Sequence, residues 1–174
     1  MNININKMKV GVTGHTSGIG KAIYSRYHSN AFGFSRFNGY DIGKDKWKII
    51  QDSKHCDVFI NNAQHEFAQT EMLYALAKNF HGKIINIGST SKDWTKGHKK
   101  NYRYSVEKLT LNNANDQLFW QGVDTCIINP GYVDTPMIRK FDCNKMNPEY
   151  IVDVIEWIIS QPYRVKEISV CPST

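Results

Sequence analysis

Short runs rich in β-branched residues alternate along this chain with longer stretches of helical, amphipathic spacing, the pattern of a parallel α/β sheet. Met8-Lys9-Val10-Gly11-Val12-Thr13 predicts a first strand closed by a glycine-rich turn, Gly18 to Ser29 a helix, and Phe32 to Arg36 a second strand. A helix over Lys44 to Ser53 leads to a strand at Asp57 to Asn61. A helix over Thr70 to Phe80 then leads to a buried strand at Lys83 to Gly88. A long helix from Tyr104 to Trp120 precedes a strand over Val123 to Asn129. Pro148 to Ser160 opens with Pro and Glu in its first turn and carries an apolar stripe, and Glu167 to Cys171 reads as a last strand.

One spacing limits the sheet. Only a few residues separate Arg36 from the extended-looking Tyr40-Asp41-Ile42, whereas a parallel crossover needs a dozen or more. The sheet is therefore expected to lose an edge strand there, leaving an antiparallel scrap or plain loop.

Length and composition narrow the class. The 174 residues make a single domain over 1–174, with 41% hydrophobic and 22% charged residues. Such a composition excludes a disordered chain, a collagen-like repeat and a disulfide-stapled miniprotein. No apolar run approaches the roughly 18 residues that a membrane span needs, and Met1 to Val10 lacks the apolar centre of a signal peptide. Cys56, Cys126, Cys143 and Cys171 form no C-x-x-C pair, and the histidines are scattered. A reduced, cytoplasmic, metal-free protein is the expectation. The net charge of +6 suits an anionic partner, either nucleic acid or a phosphate-bearing cofactor. Its densest stretch is Lys92, Lys96, Lys99, Lys100 and Arg103.

The first turn reads Thr13-Gly14-His15-Thr16-Ser17-Gly18-Ile19-Gly20 between a strand and a helix. Backbone N–H groups and the positive end of the helix dipole at such a turn suit a pyrophosphate. Downstream, Tyr104 and Lys108 stand at i and i+4 on one helix face. A phenol titrating near 10 is a poor acid at neutral pH, and an adjacent ammonium is expected to lower its pKa.

The T-G-x-x-x-G-x-G turn resembles that of the short-chain dehydrogenase/reductase family, and four more segments agree in the family's order. Asn61-Asn62-Ala63-Gln64 is similar to N-N-A-G, with Gln64 in place of glycine. Ile85-Asn86-Ile87-Gly88-Ser89 resembles the segment carrying the catalytic serine. Tyr104-Ser105-Val106-Glu107-Lys108 matches Y-x-x-x-K, and Asn129-Pro130-Gly131-Tyr132-Val133-Asp134-Thr135-Pro136 resembles P-G-x-V-x-T. A further likeness, to NADP-dependent 3-hydroxy acid dehydrogenases, rests on Gly82 to Thr90, Trp94, the helix from Pro148-Glu149 to Gln161-Pro162, and Pro172.

The resemblance implies a Rossmann-like, doubly wound, mostly parallel sheet, here trimmed at the edge after strand 2. It also implies interconversion of a small carbonyl and an alcohol through Ser89, Tyr104 and Lys108, with Tyr104 as acid/base and Ser89 bonding the same oxygen. Lys108 would also hold the nicotinamide ribose. Cofactor contacts would fall on Gly14, His15, Thr16, Ser17, Gly18 and Ile19 at the turn, and on Asp41, Ile42, Asn62 and Ala63. Tyr104, Lys108, Pro130, Gly131, Val133 and Thr135 complete the set. At the expected end of the second strand stand Ser35 and Arg36, where a guanidinium pairs with a 2′-phosphate. NADP is thus expected over NAD, although Asp41 lies near the spacing of an NAD-type carboxylate.

The chain departs from the family in its length, in the curtailed region between Asn62 and Ser89, and in the short lid from Pro136 to Asn147. The helix Thr70-Glu71-Met72-Leu73-Tyr74-Ala75-Leu76-Ala77-Lys78 holds no match for the Asn that supports the lysine in many members, which bears on proton relay. An alternative is therefore a cofactor-binding regulatory or sensor module with little turnover. Nucleic-acid binding through Lys92 to Arg103 is a third reading, and it lacks a recognisable module. Homo-oligomers through the helices at Thr70 to Phe80 and Tyr104 to Trp120 are common in the family.

Overall fold

The computed structural model describes residues 7–95 and 102–173. The strands are β1 Val10–Thr13, β2 Ala31–Phe34, β3 Val58–Asn61, β4 Lys83–Ile87, β5 Thr125–Pro130 and β6 Glu167–Val170. The helices are α1 Gly18–Tyr27, α2 Lys46–Asp52, α3 Ala68–Asn79, α4 Arg103–Trp120 and α5 Pro148–Ser160. The sheet is open, in the order β2-β1-β3-β4-β5-β6, and every pairing is parallel. Parallel sheets need cover on both faces, and the side-chain alternation supplies it. Val58 and Ile60 enter a core with Ile23 of α1 and Ile155 of α5. Phe59 points the other way, into a core with Ile49 of α2, Leu73 of α3 and Leu111 of α4. The same split separates Ile85 from Ile84 and Ile128 from Ile127.

β2 stops two residues earlier than the alternation predicts. Asn38 folds back on the strand end, donating from Nδ2 to the Gly33 carbonyl at 2.8 Å and accepting from Ser35 N at 2.9 Å. Ser35 thereby caps a short 3-10 helix, Arg36–Asn38, and Arg36 lies just beyond the strand. The next residues form turns that feed α2: Asp45 N donates to Asp41 O at 2.7 Å. No strand forms at Tyr40 to Ile42, and Ile42 is buried in the core beside α2 and α3. β2 is thus the sheet edge, as the short spacing requires.

The chain leaves β1 toward β2 on one side and resumes with β3 on the other. The carboxyl ends of β1 and β3 therefore flank the point where strand order reverses, the place where open α/β sheets hold ligands. α5 begins where its local signals place it. Pro148 takes the first helical position, and the Asn147 side chain accepts from Glu149 N at 3.0 Å.

Candidate active site

A cavity of about 930 Å³ opens at the carboxyl ends of the strands. At one end is the glycine turn. A Cβ on Gly20 would lie 2.2 Å from the Gly14 carbonyl, so only glycine lets helix and turn approach this closely. The Ser17 N-cap makes no side-chain capping bond, leaving the first-turn amides of α1 to an anion. Thr13 joins this turn to the next strand end: its Oγ1 accepts from Asn62 N and Ala63 N, both at 2.9 Å. Asn62 Nδ2 in turn donates to Thr13 O at 2.9 Å.

Ser89, at the exit of β4, and Tyr104 and Lys108, on α4, line the same cavity. Ser89 N donates to Asn129 Oδ1 at 3.1 Å, and Ser89 Oγ accepts from Ser91 N at 3.1 Å. The Ser89 side chain also neighbours the Tyr104 phenol and favours its ionised form. Lys108, 2% exposed, donates from Nζ to Gln69 Oε1 at 2.7 Å and to the Ile87 carbonyl at 2.8 Å. Its Nζ stands 5.5 Å from the Tyr104 ring centroid.

The electrostatics correct one expectation. Burial pushes the Tyr104 phenol up to about 12; the Ser89 side chain pulls it down, and Tyr102 and Glu107 push it up. The neighbouring ammonium does not bring it below the ordinary value of 10. Desolvation of the phenolate dominates, and the ammonium is itself pulled toward neutrality. Burial takes Lys108 down to about 7, against an upward pull from Glu107.

Among the residues expected to touch a cofactor, Gly14, Thr16, Ser17, Gly18 and Ile19 all border the cavity. So do Ser35, Arg36, Asp41, Ile42, Asn62, Ala63, Tyr104, Lys108, Pro130, Gly131, Val133 and Thr135. His15 does not. Its ring lies against Gly33 and 4.8 Å from the Tyr24 ring, and burial lowers its pKa. The Ser35 hydroxyl is bonded to Asn38 Oδ1 at 3.2 Å. The cavity lining also includes the aromatic residues Trp94, Tyr102, Tyr132 and Phe141. Trp94 stacks on Tyr102 at 6.3 Å, Tyr102 lies 5.7 Å from Tyr104, and Tyr132 stacks on Phe141 at 6.1 Å.

Several residues support the site without a role that the motif resemblance assigned them. Asn129 Nδ2 donates to Asn112 Oδ1 and Glu167 Oε1, both at 2.8 Å, and so fixes the oxygen that receives Ser89 N. Glu167 is held by Lys92 at 3.0 Å. Asn61 Nδ2 donates to Asn86 Oδ1 at 2.9 Å across the buried sheet. Gln64, the departure from N-N-A-G, donates to Glu107 Oε2 at 2.7 Å. Of the basic stretch, Lys92 is paired with Glu167, and Arg103 with Glu66 at 3.2 Å and Glu107 at 3.0 Å. Lys96, Lys99 and Lys100 lie outside the described residues. Among the described residues no cluster of three His, Cys, Asp or Glu could hold a metal, and no helix is long and apolar enough to cross a membrane.

No protein-family model matches the chain. It is 33% identical over 100 residues to an uncharacterized oxidoreductase of Staphylococcus haemolyticus, covering 52% of this chain and 42% of that one. It is 30% identical over 105 residues to the 3-oxoacyl-[acyl-carrier-protein] reductase MabA of Mycobacterium avium, covering 58% and 41%. In these matches the chain spans about two fifths of its relatives' length. A short-chain dehydrogenase from Burkholderia cenocepacia J2315, solved in complex with NADP, superposes with a TM-score of 0.76 at 17% identity, covering 96% of this chain and 89% of that one. The fold is that of the short-chain dehydrogenases, and the sequence likeness to curated oxidoreductases supports the resemblance drawn from the motifs.

Proposed function

We propose that the chain is an NADP(H)-dependent oxidoreductase that interconverts a carbonyl and an alcohol through Ser89, Tyr104 and Lys108. One observation carries this reading: Ser89, Tyr104 and Lys108 border the same cavity as the glycine turn and Arg36. The free amides of α1 and the close Gly14–Gly20 approach suit a pyrophosphate. The Arg36 guanidinium makes no ion pair among the described residues and suits a 2′-phosphate. Asp41 is partly committed elsewhere, with Oδ1 accepting from Gly43 N at 2.8 Å.

A nicotinamide bound here supplies the hydride. In reduction Tyr104 gives its phenolic proton to the carbonyl oxygen, a direction that its raised pKa suits because the phenol stays protonated at neutral pH. Ser89 donates its hydroxyl hydrogen to the same oxygen as charge develops. Lys108 holds the ribose and, when charged, stabilises the phenolate left on Tyr104. The aromatic side chains of Trp94, Tyr102, Tyr132 and Phe141 suit an uncharged, apolar carbonyl compound.

Titration of NADPH and NADH into the wild type and Arg36→Ala, followed by a panel of aldehydes and ketones, tests the reading. The wild type binds NADPH more tightly, and Arg36→Ala loses about 1.5–3 kcal/mol of that preference, the worth of a charged hydrogen bond. Equal binding of both cofactors by the wild type overturns the NADP assignment in favour of Asp41 and NAD. NADPH binding without turnover of any carbonyl overturns the enzyme in favour of a cofactor-binding module.

A further inference from the structure

Gln69 lies in the first turn of α3, eight residues beyond Asn61, and belongs to no motif. It is 2% exposed, and each end of its amide is used. Nε2 donates to the Asn61 carbonyl at 2.7 Å and to the Ile87 carbonyl at 3.0 Å. Oε1 accepts from Lys108 Nζ at 2.7 Å. Carbonyl oxygens only accept and an ammonium only donates, so the amide fits in one orientation. Flipping it would set oxygen against two carbonyls and NH2 against the ammonium. The backbone grips the residue as well, because the Gln69 carbonyl accepts from Asn61 Nδ2 at 2.9 Å. Gln69 thus bridges the ends of β3 and β4 and presents a fixed oxygen to α4.

Nζ has three N–H bonds. Gln69 Oε1 takes one and the Ile87 carbonyl, at 2.8 Å, takes another. We propose that Gln69 is a positioning residue for Lys108, its clamped amide oxygen and the Ile87 carbonyl together aiming the remaining N–H and the charge of Nζ into the cavity beside Tyr104. The role of Lys108 in the reaction rests on the function proposed above; the clamp rests on the contacts alone.

A neutral amide also matters for charge. The groups facing Lys108 are Tyr104 and Glu107 on its own helix, the Gln69 amide from α3 and the Ile87 carbonyl from β4. The Glu107 carboxylate is shared with Arg103 at 3.0 Å and Gln64 at 2.7 Å. A carboxylate at position 69 would lock the ammonium in its charged form. An amide orients it and leaves it able to titrate near neutrality.

Lysine-selective isotope labelling and NMR titration of Lys108 test the clamp in the wild type, Gln69→Glu and Gln69→Met, with Lys108→Met identifying the resonance. Gln69→Glu raises the Lys108 midpoint, and Gln69→Met, which keeps the volume but removes the acceptor, lowers it, each by about one pH unit or more. NADPH affinity of Gln69→Met falls by about tenfold or more at neutral pH and recovers toward the wild-type value in acid, where Lys108 is recharged; a residue that only packs would show no such recovery. If Gln69→Met does not fold, the rise in Gln69→Glu decides alone, and if neither folds, Gln69→Asn, which keeps the amide but shortens its reach, must lower the midpoint. A midpoint unchanged in the folded variants, or moved the same way by Glu and Met, overturns the proposal. A wild type that binds no nicotinamide cofactor overturns the proposed function instead, and the NMR titration still judges Gln69.

Discussion

Lys108→Met is expected to make this protein more stable while destroying its activity. The Lys108 ammonium is 2% exposed, and burial takes its pKa from the ordinary 10.5 down to about 7. At roughly 1.4 kcal/mol per pKa unit, that depression costs the folded state about 5 kcal/mol when the lysine is charged in both states. The cost is present in full below the folded pKa near 7. Between about 7 and 10.5 the folded protein releases the proton while the unfolded chain keeps it, so wild-type stability rises by roughly 1.4 kcal/mol per pH unit. Methionine removes this dependence. It also deprives Gln69 Oε1 of its donor, whereas the Ile87 carbonyl keeps Gln69 Nε2; one buried acceptor left bare costs about 1–3 kcal/mol. The variant should therefore exceed the wild type by about 2–4 kcal/mol near pH 6, an advantage that shrinks to about zero near pH 9. Urea unfolding followed by tryptophan fluorescence at the two pH values measures both quantities. A variant less stable than wild type near pH 6, or a difference that does not change with pH, would refute the reasoning.

Two further perturbations probe the other members of the site. Tyr104→Phe should keep NADPH affinity within about twofold yet lower turnover by about two orders of magnitude or more, as loss of a general acid does; wild-type turnover in steady-state assays would show that the acid lies elsewhere. Gly88→Ala would place a Cβ 2.1 Å from Asn129 Oδ1, and Asn129, pinned by Asn112 and Glu167, has no room to retreat. It should lose about 1–3 kcal/mol of stability and, with Ser89 N displaced from its acceptor, about tenfold or more in turnover; a wild-type melting temperature and turnover would count against that packing.

Much of this protein is legible in its sequence because the relevant physics is local. Pro148 and Asn147 mark where α5 starts, and β-branched residues mark every strand of the sheet except β2, whose Ala31-Phe32-Gly33-Phe34 holds none. The absence of a parallel strand at Tyr40 to Ile42 follows from chain length, since no crossover fits in so few residues; that the segment forms turns and no antiparallel scrap was decided by the fold. The glycine turn and the i, i+4 pair of Tyr104 and Lys108 stand out for a similar reason, their spacing along the backbone, whereas the Asn62-Ala63 pair and Ser89 stand out only through their resemblance to family segments.

The tertiary structure decided what depends on neighbours distant in the chain. Gln69 and Lys108 are 39 residues apart, and Asn129 and Ser89 are 40 apart; no periodicity joins them, and only the packing of α3, α4 and the strand ends brings them into contact. His15 sits inside the glycine turn, yet its ring is drawn to Gly33 and Tyr24, because β2 offers it a gap where a side chain is missing. Most of all, the sequence puts a cation beside a phenol and suggests a lowered phenol pKa, whereas the fold buries both and raises it. Proximity can be read from spacing on one helix; desolvation is a property of everything that surrounds it.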